Sequence, residues 1–183
     1  MARAGCAVLV PGRHAGRRHR LAAGDRPAAV NGFKKPVSVL VVIHTPALDI
    51  LLLERARHPG FWQSVTGSQE GDESLIETAR REVAEETGIA AGAHDLIDWH
   101  RTNHYEIYAE WRDRYAPGVT HNSEHVFSFC VPSGTAVRVA PDEHLGYRWL
   151  PWQAAAAECF SASNREAILA LPQRLAAPRT VKP

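Results

Sequence analysis

Residues Gly67 to Ile89 read GSQEGDESLIETARREVAEETGI, and the rest of the chain is best read outward from this stretch. Ser74 with Glu77 three residues on makes a capping box, Gly88 is a helix stop, and SLIETARREVAEET between them has helical period. On such a helix Ile76, Ala79 and Val83 share a face suited to packing on a sheet, while Glu82, Glu85 and Glu86 crowd the adjoining face. Charge runs are usually solvated faces laced with ion pairs. Arg81 is spaced to reach Glu85, but Glu82 and Glu86 stand four apart with no helical cation between them. An exposed pair of that kind repels by roughly 0.2–0.5 kcal/mol. A divalent cation would reverse the sign. Carboxylate oxygens are hard ligands suited to Mg2+ or Mn2+, and Mg2+ commonly shares its shell with substrate phosphates. The helix alone leaves two readings open: a solvated face, or a metal site whose partner is a nucleotide-like or polyphosphate molecule.

The 183 residues, 45% of them hydrophobic, suit one globular domain with a filled core. The formal charge of +1 hides an asymmetry, because residues 1–35 hold eight of the 21 Lys and Arg and one acid, Asp25. The remainder carries 13 basic and 19 acidic residues, an excess that suits a cation site better than a nucleic-acid groove. Residues 1–33, rich in Arg, Gly, Pro and Ala without a period that could bury a face, read as a basic, disordered arm. Cys6, Cys130 and Cys159 are odd in number and widely spaced, which argues against a disulfide framework or a zinc site and for a cytoplasmic setting. No apolar run approaches the roughly 18 residues that span a bilayer, so neither a membrane nor a nucleic-acid partner is expected.

From Lys34 the texture becomes that of a folded domain, expected over residues 34–175, with a tail at 176–183. PVSVLVVIH is continuous and β-branched, like a strand covered on both faces, and LDILLLERA follows after the turn signal TPA. FWQSVTG reads as one short strand ending at Gly67. Further strands are expected in HRTNHYEIY, EHVFSFCVP and YRWLP, the loop RDRYAPGVTHNS dividing the first two, and PWQAAAAECF and NREAILALPQRL read as C-terminal helices.

Gly67, Glu73, Arg81-Glu82-Val83, Glu85-Glu86 and Gly88-Ile89 fit, without a gap, the pattern G-x5-E-x7-R-E-U-x-E-E-x-G-U, with U bulky and apolar. The stretch therefore resembles the Nudix box. The resemblance implies an α/β fold, an α/β/α sandwich with a mixed sheet and a loop-helix-loop box, which hydrolyses a diphosphate joined to another group with Mg2+, Mn2+ being a possible substitute. It also implies that Glu82, Glu85 and Glu86 ligate metal, that the Gly67 carbonyl contributes, and that Glu73 with Arg81 braces the loop. A glycine admits close backbone approach, and an arginine forks onto a carboxylate, so the residue types agree.

Outside the box, KKPVSVLVVI, FWQSVTGS, RYAPGVT, EHLGYRWL and SNREAI resemble bacterial dihydroneopterin triphosphate pyrophosphohydrolases, from about Lys34 to Leu171. This likeness implies a pterin triphosphate substrate, cut between its α and β phosphates. It also places a glutamate before the last core strand, here Glu143, as metal ligand or general base, with Asp142 and Glu124 as rivals. Catalytic roles accordingly fall on Glu85, Glu143 and Arg81. Substrate contacts are expected from Lys34, Arg55 and Thr66 toward phosphate, from Tyr105, Glu106, Ile107 and Tyr108 (YEIY) toward the pterin, and from Ser161. Lys34 and Arg55 could equally be solubilising charges, the tyrosines and Trp62 core residues, and Ser161 a helix start. The ten histidines show no metal spacing and read as surface or core residues. Two other readings use the same box: a hydrolase of dATP or oxidised dNTPs, and a non-catalytic nucleotide-binding regulator, which the intact acids disfavour.

Overall fold

A computed structural model describes residues 32–92 and 94–176. The expected basic arm (residues 1–33) and the tail lie, apart from their inner ends, outside the described residues. Strands β1 (Val37–His44) and β2 (Asp49–Arg55) form where PVSVLVVIH and LDILLLERA were expected. FWQSVTG differs from expectation, dividing at Ser64 into β3 (Trp62–Gln63) and β4 (Val65–Ser68). The box helix α1 spans Leu75–Thr87, with both halves of the Ser74/Glu77 capping box formed and Gly88 closing it at φ 69°. Then follow β5 (Leu96–Glu106), a 3-10 turn over Ala109–Arg114, β6 (His121–Cys130), β7 (His144–Pro151), α2 (Trp152–Glu158) and α3 (Ala162–Ala176).

The seven strands make one mixed sheet, in which β1 and β6 are parallel and every other pair is antiparallel. Alternation along the strands sends Val39, Val41, Ile43, Leu51 and Leu53 to one face, where Ala79 and Val83 of α1 cover them. Leu40, Val42, Ile50 and Leu52 go to the other face, under Ala155 and Ala156 of α2 and Ala167, Ile168 and Leu171 of α3. Two covered faces explain why β1 is apolar without a break.

The sheet forks. β1 and β2 pair only at His44 with Ile50, next to their turn, and diverge beyond it. Residues 62–68 fill the opening: Trp62 and Gln63 pair with β2, and Val65 to Ser68 pair with β1. The split of FWQSVTG at Ser64 is this crossing. Ser64 is fully buried there, away from either ladder, and Asn164 of α3 supplies what the strands do not. The Ser64 backbone N–H donates to Asn164 Oδ1 at 2.7 Å, and Asn164 Nδ2 donates to Ser64 Oγ at 2.9 Å.

Truncation at Asn164 leaves a buried N–H and a buried hydroxyl unsatisfied, a loss of about 1–3 kcal/mol. Asn164→Ala is therefore expected to lower unfolding free energy by that amount in urea titration, although the residue lies 100 positions from its partner.

Candidate active site

The mouth of the fork faces the acidic side of α1. Gly67 on β4 stands directly against Glu82 of α1. A Cβ built on Gly67 would lie 1.7 Å from Cδ and 1.8 Å from Oε1 of Glu82, so only glycine leaves room for that carboxylate against the strand. Glu82 and Glu86 are buried, whereas the Glu85 side chain is 59% exposed.

Arg81 ties the acids to the loop. Its guanidinium donates to both Glu73 oxygens (Nε at 3.1 Å, NH2 at 2.7 Å), to Glu82 Oε1 at 2.8 Å, to Glu85 Oε2 at 3.0 Å and to the Ser68 carbonyl at 3.0 Å. This corrects the expectation from helical spacing that no cation on the helix relieves Glu82. Neighbouring helical positions do not face each other, but the long Arg81 side chain is drawn over the loop by Glu73 and Ser68 and meets Glu82 on its way. The forked bond from Arg81, together with the Glu70 N–H and the Thr78 hydroxyl, holds Glu73 down at about 2, so the brace is ionised at any working pH.

Glu86 has a different partner. His144, the first residue of β7 and buried, brings Nε2 to 3.4 Å from Glu86 Oε2, and that oxygen and both ring nitrogens have no hydrogen-bond partner among the described residues. Ligand atoms of Glu86, Glu143 and His144 lie within 4.8 Å of one another. Glu143, exposed beside them, thus comes to the Glu86 side of the fork; Asp142 and Glu124, its rivals, are not in this group. Burial pushes Glu86 up from the ordinary carboxylate value, with His144 opposing, and pushes Glu82 to about 7 against the pull of Arg81. Buried carboxylates so displaced, one with an orphaned oxygen, are an all-oxygen donor set short of positive charge, and a divalent metal fits it.

Two cations overlook this centre. Lys34 hydrogen-bonds through its backbone to Arg114, and its ammonium is lowered by burial and Arg114 while Glu82 and Glu143 pull it back up. Arg55, also lowered chiefly by burial and raised by Glu86, donates to Gln63 Oε1 at 2.8 Å, and Gln63 Nε2 donates to Thr66 Oγ1 at 3.2 Å. Its guanidinium lies 5.7 Å from the Trp111 ring centroid and 6.0 Å from that of Phe160.

The YEIY segment differs from the expected strand. β5 ends at Glu106, so in-and-out alternation stops after Tyr105 and Glu106. Ile107, just past the strand end, is 3% exposed, its side chain buried in the core. Glu106 pairs with Arg112, and Tyr108 stands edge-on to Trp111. Tyr105, 40% exposed, has its hydroxyl hydrogen-bonded by Asn122. Ser161 Oγ accepts from the Asn164 N–H at 3.2 Å, the bond of a helix start. Trp62 is a core residue, 6% exposed, with Arg148 over its ring at 4.1 Å. Reading by residue type missed His144, Gln63 and Asn164.

The family model for the NUDIX domain matches residues 34–171. The chain belongs to the Nudix family. Among Nudix proteins it is 47% identical over 139 residues to a dihydroneopterin triphosphate diphosphatase of Escherichia coli (strain K12), covering 74% of this chain and 91% of that one. It is 39% identical over 139 residues to a protein of the same name from Haemophilus influenzae, covering 74% and 87%. The solved structure of the Escherichia coli dihydroneopterin triphosphate pyrophosphohydrolase superposes with a TM-score of 0.69 at 46% identity, over 75% of this chain and 95% of that one. Nudix hydrolases generally use a divalent metal, in keeping with the acidic cluster at the fork.

The displaced carboxylates set a pH dependence. Between the ordinary value of 4.5 and about 7, Glu82 is ionised in the unfolded chain but still protonated in the folded one, so its contribution to stability falls as pH rises through that window and is constant above it. The metal-free protein is expected to unfold at a lower temperature at pH 8 than at pH 5, and Glu82→Gln to flatten that slope, as read by calorimetric melting against pH.

Proposed function

We propose that this Nudix hydrolase cleaves dihydroneopterin triphosphate between its α and β phosphates, giving the monophosphate and pyrophosphate with Mg2+. The observation that carries the reading is the meeting of Glu86, Glu143 and His144 at the fork, with Glu82 against Gly67, in a chain 47% identical to an enzyme of that name. Glu82, Glu85 and Glu86, with the Gly67 carbonyl, are the groups that would hold the metal; Mn2+ suits the same oxygens. When bound, the metal supplies positive charge against the phosphate oxygens and lowers the pKa of a water.

The chain's own groups do the rest. Glu143, exposed next to Glu86, serves as a ligand or as the base that takes the proton of the attacking water. The water oxygen bonds to phosphorus as the bridging P–O bond breaks, and pyrophosphate carries away that bond's electron pair. Lys34 and Arg55 meet the triphosphate oxygens, and their partial burial strengthens that attraction. Thr66, oriented by Gln63, stands beside the Gly67 carbonyl on the same strand. Arg81 is a positioning residue: with five donors engaged on Glu73, Glu82, Glu85 and Ser68, it fixes the loop without reaching for substrate. A cytoplasmic setting suits the free thiols of Cys130 and Cys159.

Pyrophosphate release measured with Mg2+ should favour dihydroneopterin triphosphate over every member of a dNTP panel, in kcat/KM, by about tenfold or more. Tenfold better use of any dNTP would instead make this a nucleotide-pool hydrolase. Glu85→Gln and Glu86→Gln should each lower kcat by about a hundredfold; unchanged rates in both would end the enzymatic reading. Gly67→Ala places a methyl on the Glu82 carboxylate and is expected to weaken Mn2+ binding about tenfold, read by the loss of free-Mn2+ electron paramagnetic resonance signal on titration.

A further inference from the structure

A second polar cluster lies on the α3 face of the sheet and takes no part in the hydrolytic chemistry. Strand pairing sets Glu124 of β6 between Ser38 of β1 and Asn103 of β5, and sets Asn122 opposite Tyr105. Asn122 uses both amide hydrogens, on Ser38 Oγ at 2.7 Å and on the Tyr105 hydroxyl at 2.9 Å. Its carbonyl oxygen Oδ1 is buried and without a partner among the described residues, in a side chain only 3% exposed. Two residues on, the Glu124 carboxylate is 5% exposed, with Asn103 Nδ2 on Oε1 at 3.1 Å, the Ser163 side chain of α3 also hydrogen-bonded to it and Arg101 the cation that acts on it from a distance. Arg101 spends its Nε on Asn103 Oδ1 at 3.0 Å, which fixes which end of that amide faces Glu124, and pairs with Glu166.

A core acid satisfied by an asparagine would be the ordinary account of Glu124, but it leaves Asn122 Oδ1 unexplained. The orphaned Asn122 Oδ1, with the Glu124 carboxylate two residues on along the same strand, calls for a ligand edge made of donors. Burial pushes the Glu124 carboxyl up from its ordinary value, so such donors would recover its anion. Access exists at Tyr105, a residue 40% exposed.

We propose that Glu124 and Asn122 form the ring-recognition site of this enzyme, accepting the N–H and exocyclic amine of a 2-amino-4-oxopyrimidine edge. The inference rests on the hydrolytic reading given above and adds what selects its substrate. That edge belongs to pterins and to guanine. Adenine instead offers an amine beside an acceptor nitrogen, which would face a carboxylate with repulsion. The position fits too: Ser68, next to Gly67, pairs with Ser38, which pairs with Glu124, so two strand spacings, about 10 Å, separate the recognition site from the metal-site strand.

The test is kcat/KM of the wild type and Glu124→Gln on dihydroneopterin triphosphate, dGTP and dATP. Glutamine keeps the shape and turns one acceptor into a donor. The ratio of dihydroneopterin triphosphate to dATP, and that of dGTP to dATP, should each fall by about a hundredfold, with Mn2+ affinity unchanged. Glu124→Asp, which keeps the charge but withdraws it, should lower the same ratios and serves if the glutamine variant folds poorly. Unchanged ratios, or an equal loss on all three substrates, overturn the proposal. A wild type that ignores dihydroneopterin triphosphate but cleaves dGTP sinks the proposed substrate alone, and the dGTP to dATP ratio still judges Glu124.

Discussion

The divergence of β1 from β2 is the constraint on which the rest of the molecule depends. After the His44–Ile50 pair the two strands part, and a strand edge left open inside a covered sheet would strand a row of backbone donors and acceptors. Residues 62–68 close it by bonding first to one strand and then to the other, with Asn164 satisfying the crossing residue. That route delivers Gly67 to the α1 side of the fork, where the absence of a side chain lets Glu82 reach the backbone. The site's geometry is thus a consequence of how the sheet satisfies its hydrogen bonds.

Charge on α1 is distributed by burial rather than by helical spacing. Glu85 stays in solvent, where its proximity to the other acids is screened. Glu82 is buried and held by Arg81, and Glu86 is buried with only His144 beside it. The three acids are therefore unequal in the metal-free protein, and the strain is greatest where protein partners are fewest. Glu73 is the counterpart: it is fully ionised through Arg81 and keeps the loop rigid while its neighbours await a cation.

The two faces of the sheet divide the labour. Toward α1 lie the acids and the glycine; toward α3 lie Glu124, Asn122 and Tyr105, joined to the first group through the Ser68–Ser38–Glu124 register. Because β1 takes part in both, a shift of one residue in its pairing would turn Ser38 from the α3 face to the α1 face and disrupt both sites together.

Much of this was legible locally. The capping box, the helical period, the continuous apolar run of β1 and the spacing from Gly67 to Ile89 depend on residues within a few turns of one another, and sequence by itself determined helix α1 with its acids and the strands β1 and β2. Glu143 was legible only through resemblance, since nothing local ties it to Glu86. Tertiary structure alone decided that Arg81 reaches Glu82, that His144 turns inward to Glu86, that FWQSVTG breaks at Ser64, and that Ile107 belongs to the core. The physical reason is common to all four: each follows from pairings between distant strands and from which side of the fork a side chain is buried on, and neither is written in the period of any one segment.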